Sequence, residues 1–212
     1  MKIVLFISLF LFSIIGYSQK KLVKYYNEKG VEVSKSIFKK SINYKVNLDA
    51  YFENDTTKNY ILIPRSVVGK LNPKEFIALK NHLNRISRFK LDTTKFIVIN
   101  YLSSIPKKSK NTKPNPYWNA FGKEYLRKID RIDNIQQYSI YNPENDHLKY
   151  FHKNRFNWLA DEHDFIKNMF FPYDVMYGNF LIIRPSGVFV YYLGEHSEYQ
   201  ILETTKKFLN KD

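Results

Sequence analysis

The sequence predicts an α/β domain with a mixed sheet flanked by helices, preceded by a small β-rich extension. Three observations carry this. The stretch Phe96–Tyr101 opens with Phe96, Ile97, Val98 and Ile99 in unbroken succession, apolar on both faces, as in a central strand covered on two sides. From Phe96 onward, strand-like and helix-like patterns follow in the order β-α-β-α-α-β-β-α; helices between strands imply crossover connections and a partly parallel sheet. Arg184-Pro185-Ser186-Gly187 separates the apolar runs Asn179–Ile183 and Val188–Leu193. Proline fixes φ there and a glycine free to take positive φ follows, so the last two strands close as an antiparallel hairpin.

Before that domain the chain opens on Met1-Lys2 and an apolar run, Ile3–Ile15, interrupted only by serines. Gly16-Tyr17-Ser18 then places small residues where a signal peptidase would cut before Gln19. A spanning helix needs roughly 20 apolar residues, so residues 1–18 are expected to be a cleaved signal peptide and not an anchor. No cysteine follows the run, which excludes a lipid-anchored lipoprotein. The expected location is periplasmic or secreted, with no membrane span after cleavage.

Leu22–Tyr26 and Val31–Val33 flank Asn27-Glu28-Lys29-Gly30, a glycine-bearing turn that predicts a short hairpin. Ser34–Lys40 suits a helical turn. Tyr44–Phe52 and Tyr60–Ile63 read as a second antiparallel pair around the polar stretch Glu53–Asn59. Residues 19–70 thus form the β-rich extension, and residues 71–212 the main domain.

The main domain starts with a helix. Asn72 is a good N-cap, Pro73 suits the first helical position, and Glu75 completes a capping pattern. Phe76, Leu79, Leu83 and Ile86 recur on one face, with His82 expected at its boundary. After the central strand, Ser103–Pro116 carries three prolines and four lysines and no acid, the composition of a solvated loop. Trp118–Asn134 predicts a helix with Trp118, Phe121, Tyr125, Ile129 and Ile132 as its apolar stripe. Gln137–Tyr141 is a short strand, and Asn142-Pro143-Glu144 opens a helix containing Leu148 and Phe151. Asp161 is expected to cap another helix, with Asp164 three residues on, Phe165, Ile166, Met169 and Phe170 turned inward, and Pro172 as its end. Ser197 caps a final helix with Tyr199, Leu202, Thr205 and Leu209 near one face.

The chain carries 34 cations against 20 acids, a formal charge of +14, and 44% hydrophobic residues. That apolar content is enough to fold one domain with a sizeable core. A basic field of this size attracts polyanions, although cations spread along the chain are also what a solvated surface shows. There is no cysteine, so thiol redox catalysis, disulfides and cysteine–zinc sites are all excluded.

Ile99-Asn100-Tyr101-Leu102-Ser103-Ser104, the run from Phe156-Asn157-Trp158-Leu159-Ala160 to Asp161, and Phe180-Leu181-Ile182-Ile183 leading through Gly187 to Val188-Phe189-Val190-Tyr191 occur in a telling order. Together they resemble the thioredoxin-like fold in its TlpA-type or peroxiredoxin-like form, over somewhat more than half of the chain after residue 18. The resemblance implies a thioredoxin-like mixed sheet, but the family's chemistry is missing. Its two cysteine positions fall on Pro106 and Ser109, and the position of its cis-proline falls on Tyr177-Gly178-Asn179. No catalytic residue or cofactor is therefore expected. The expected function is that of an exported, non-catalytic domain binding a protein or cell-surface partner.

Two alternatives stay open. Lys107, Lys108, Lys110 and Lys113, followed by Tyr117 and Trp118, interleave cations with aromatics, a composition suited to an anionic polymer. Asp161-Glu162-His163-Asp164 gathers potential metal ligands or acid–base groups, chiefly Asp161 and His163. Neighbouring residues on a helix point apart, however, and no second histidine stands four residues from His163; an acidic helix start favoured by the dipole reads the cluster equally well.

Overall fold

The computed structural model describes residues 21–104, 122–144, 158–173, 175 and 177–210. The chain divides into two compact units. The first comprises Met1–Ile42 and Asp49–Ile63, the second Asn43–Leu48 and Pro64–Asp212. The mixed α/β class expected from the sequence is the class found, with two mixed sheets. No helix among the described residues is long and apolar enough to cross a membrane.

The first unit holds β1 (Leu22–Tyr26), β2 (Glu32–Val33), α1 (Lys35–Ser41) and most of β3 (Asn47–Glu53) and β4 (Thr57–Pro64), whose strands lie in the order β2-β1-β4-β3. The Asn27–Gly30 turn forms as its residues dictate: Gly30 sits at φ 73°, and the Asn27 side chain accepts the amides of Lys29 and Val31. Ser34 caps α1 by accepting the Ile37 amide. The second hairpin is tighter than its polar stretch suggests, because β4 starts at Thr57. Asn54 Oδ1 accepts the amides of Thr56 and Thr57, and this side-chain turn replaces a longer loop. β1 pairs with β4 in parallel. Tyr25 stacks on Tyr60 at 5.2 Å, and buried Phe38 tilts against Tyr25 at the same separation.

The second unit carries a six-stranded sheet in the order β5-β10-β9-β6-β7-β8. Its elements are β5 (Ser66–Lys70), α2 (Pro73–Ile86), β6 (Phe96–Ser104), α3 (Lys123–Ile129), β7 (Ile135–Tyr141), β8 (Trp158–Ala160), α4 (Phe165–Phe170), β9 (Tyr177–Ile183), β10 (Val188–Tyr192) and α5 (Glu198–Leu209). β6, β7 and β8 run parallel, whereas β9 is antiparallel to β6 and β10 antiparallel to β9. The closing hairpin turns at Gly187, φ 81°. Because side chains alternate along a strand, β6 sends Val98 and Asn100 to one face of the sheet and Ile97, Ile99 and Tyr101 to the other. The first face is filled by Phe180, Ile182 and Val190 with Tyr125 and Ile129 of α3 and Ile201, Leu202 and Phe208 of α5. On the second face Tyr101 meets Phe171 at 5.1 Å and Phe170 meets Phe189 edge-on at 5.3 Å.

Several local expectations are corrected. β5, read from the sequence as part of the extension, is an edge strand of the six-stranded sheet, antiparallel to β10. Its Gly69 leaves room for the ring of Phe189, whose Cζ would stand 2.5 Å from an added Cβ. β6 continues through Ser103 and Ser104 instead of ending in a loop there, and Ser103 Oγ donates to the Val175 carbonyl at 2.7 Å. The helix read as Trp118–Asn134 ends at Ile129, followed by a turn in which Asn134 takes φ 64°; Trp118 and Phe121 lie outside the described residues, as does the helix expected around Leu148 and Phe151. The capping box at Asn72 and Glu75 forms as expected. In α5 the buried stripe is Ile201, Leu202, Thr205 and Phe208, while Tyr199 is exposed. His82 is not a boundary residue: it is 1% exposed.

Candidate functional site

Among the described residues, the one buried acid on the α2/α4 side of the sheet is Asp161, fully enclosed directly after β8. It does not begin a simple helix. Glu162–Asp164 form a single 3₁₀ turn in which His163 (φ 59°) and Asp164 (φ 53°) are both left-handed, and α4 starts at Phe165. That detour brings the second and third amides of α4 over the Asp161 carboxyl group. Oδ1 accepts from Ile166 and Oδ2 from Lys167, each at 2.9 Å, satisfying donors a helix start leaves unpaired. The expectation that Asp161 is the N-cap of this helix is corrected: Asp164 takes the cap position of α4, and the Asp161 carboxylate reaches the helix amides from five and six residues away.

Two further side chains converge on Asp161. Tyr101 donates its hydroxyl to Oδ2 at 3.1 Å. His82, projecting from α2, places Nε2 3.3 Å from Oδ1, without hydrogen-bond alignment, while its ring stacks on Phe165 at 4.5 Å. Arg85 Nη2 lies 3.0 Å from His82 Nδ1. A guanidinium only donates, so Nδ1 accepts and the ring proton belongs on Nε2, the nitrogen facing Asp161. Arg85 Nε in turn bonds Glu162 at 2.9 Å. The cluster ties α2, β6 and α4 together in the interior. With His82 and Asp161 both closed to solvent, it offers a substrate no approach.

Next to this cluster the surface opens. A cleft of about 930 Å³ straddles the outer edge of β7, bounded on one side by the end of α2 and the 87–95 loop and on the other by α3 and β8. Gln136 fastens that loop to β7: its side chain donates to the Lys90 carbonyl (3.3 Å) and accepts from the Asp92 amide (2.8 Å). Tyr138 lines the cleft, is 4% exposed, and its hydroxyl has no hydrogen-bond partner among the described residues. Burial pushes its pKa up to about 12, so the phenol keeps its proton at neutral pH. A buried hydroxyl without a partner is uncommon in a folded protein and marks where a further polar group would sit.

Of the residues singled out in the sequence, Pro106, Lys107, Lys108, Ser109, Lys110, Lys113 and Tyr117 lie outside the described residues. Asp161 and His163 do not act together: Asp161 turns into the core toward His82 and Tyr101, and His163 is exposed. Among the described residues no three potential metal ligands gather. His82 and Tyr138 were not legible as site residues, since their partners and their cleft come from distant parts of the chain. No family model, no curated protein and no solved structure matches this chain.

Proposed function

We propose that this chain is an exported, non-catalytic domain of thioredoxin-like type that binds a protein or surface partner. The reading requires crossover-linked parallel strands that meet an antiparallel closing hairpin in one sheet. The order β8-β7-β6-β9-β10 is of that kind, which supports it. The observation that carries the reading is the absence of cysteine from a sheet of this order: thiolate chemistry cannot occur, and what such a framework can still offer is surface. The buried Asp161 cluster adds to the support, since its polar groups are used in holding helices to the sheet.

The test has two arms. N-terminal sequencing of the protein recovered from its native cells is expected to begin at Gln19; a chain still starting at residue 1 overturns export. In a disulfide-reduction assay with a dithiol reductant the protein is expected to leave the rate at background. Turnover above that rate overturns the non-catalytic reading.

A further inference from the structure

We infer that the outer edge of β5 is a strand-addition site for an extended peptide that brings one acidic side chain among apolar ones. The inference rests on the reading of the chain as a binding module and names the place and the partner's chemistry. Among the described residues, β5 ends the six-stranded sheet and pairs on one side only, with β10. The chain on either side of it, residues 64–72, is described throughout, and Val68 at its middle is 68% exposed. Leu193 donates to the Arg65 carbonyl and Leu71 to the Gly187 carbonyl. In an antiparallel ladder the residues that bond to one neighbour alternate. Arg65, Val67, Gly69 and Leu71 therefore face β10, and Ser66, Val68 and Lys70 turn their amides and carbonyls outward. An edge of this kind is a template for an extended segment. Its register with β10 contains no bulge and its sequence no proline, two of the devices that keep an edge from pairing.

The side chains along that edge set what an added strand would carry. Val68 lies on the α3/α5 face beside its partner Val190 and offers an apolar contact. On the opposite face Gly69 has no side chain, so the half-buried ring of Phe189 reaches across it. An incoming residue opposite Gly69 would rest on that ring. Lys70 is the one charge in β5, is exposed, and forms no ion pair among the described residues. A second copy would bring the same formal charge of +14 to this edge, which opposes self-pairing. A carboxylate opposite Lys70 is drawn to it instead. Beyond Lys70 the strand runs into a hollow of about 530 Å³, floored by Leu71, Pro73 and Phe76. Antiparallel pairing is the more stable per residue. A partner strand in that direction would read apolar at the hollow, acidic at Lys70, then apolar at Gly69 and at Val68.

The experiment is a titration of the ¹⁵N-labelled full chain with three capped peptides. The first reads threonine-leucine-glutamate-valine-valine-valine-threonine, the second has lysine for the glutamate, and the third is the first with its second valine N-methylated. The glutamate peptide is expected to shift the amides of Ser66, Val68 and Lys70. The lysine peptide is expected to bind about fivefold more weakly, the size of one reversed cross-strand charge pair. The N-methylated peptide is expected to bind at least about tenfold more weakly. In the protein, Val68→Pro removes an outward amide and no bond to β10, and is expected to weaken the glutamate peptide at least about tenfold. Lys70→Glu, at an exposed site, is expected to reverse the preference in favour of the lysine peptide with unchanged circular dichroism, and it decides the matter should Val68→Pro fail to fold. Indifference to N-methylation, a preference that Lys70→Glu does not reverse, shifts confined to other surfaces, or no binding by any of the three peptides would each overturn the site. Shifts of the same amides with protein concentration alone would assign the edge to a second copy and overturn the peptide. The wider reading falls separately, through disulfide turnover.

Discussion

The neighbouring residues Asn100 and Tyr101 on β6 point to opposite faces of the same sheet, and each makes a buried hydrogen bond of a different kind. On the α3/α5 face Tyr125 donates to Asn100 Oδ1 at 3.2 Å, a single neutral contact, and Asn100 Nδ2 has no partner among the described residues. On the α2/α4 face Tyr101 is one of three donors to Asp161, beside two backbone amides, while His82 Nε2 stands 3.3 Å away without hydrogen-bond alignment. The first arrangement has no reserve. The second is redundant at its rim and depends wholly on its centre. The lesson is that the worth of a buried hydrogen bond depends on what remains when it is removed.

The largest effect should come from removing that centre. Asp161→Ala leaves two helix amides, the Tyr101 hydroxyl and His82 facing a void, and is expected to destabilise by about 3–5 kcal/mol in urea unfolding. A loss under about 1 kcal/mol would show that the cluster is peripheral to stability.

Acid should act next, and through the other face. His196 is buried against Phe180, 4.9 Å edge-on, and burial lowers its pKa from 6.5 to about 4. The folded state refuses a proton that the unfolded chain accepts. Stability is therefore present in full above pH 6.5 and is lost as pH falls toward 4, by about 3 kcal/mol in all. An imidazole titration by proton NMR with its midpoint near 4 is the expected result; a midpoint near 6.5 contradicts it.

The two tyrosines then separate the faces directly. Tyr125→Phe strips Asn100 Oδ1 of its donor and is expected to lose about 2 kcal/mol; Tyr101→Phe leaves Asp161 its amides and should lose about 1 kcal/mol. The reverse order would refute the redundancy argument. The smallest effect belongs to Tyr138→Phe. It deletes a hydroxyl with no hydrogen-bond partner among the described residues, so stability should hold or rise by up to about 1 kcal/mol.

Much of the fold was legible because its signals are short-range. Gly30 and Gly187 sit at positive φ where their turns require it, Asn72 and Glu75 cap α2, and Ser197 caps α5 by accepting the Gln200 amide. β6 announced itself through unbroken apolar residues, and Ile97, Val98 and Ile99 are all buried. Less of the site was legible. His82 looked like the rim of a helix stripe because nothing near it in sequence reveals Asp161. Asp161 looked like an ordinary cap because periodicity does not show two left-handed residues in succession. β5 escaped notice because a five-residue strand bearing glycine is weak evidence until β10 lies beside it.

The amino-acid order by itself determined the α/β class, the turns and caps, and the exclusion of thiol chemistry, because each depends on residue type and near neighbours. Which strand borders which, and that Asp161 meets His82 and Tyr101, were decided only on folding. Those features join residues far apart along the chain, and the closing of the sheet and the packing of α2 and α4 against it bring them within bonding distance.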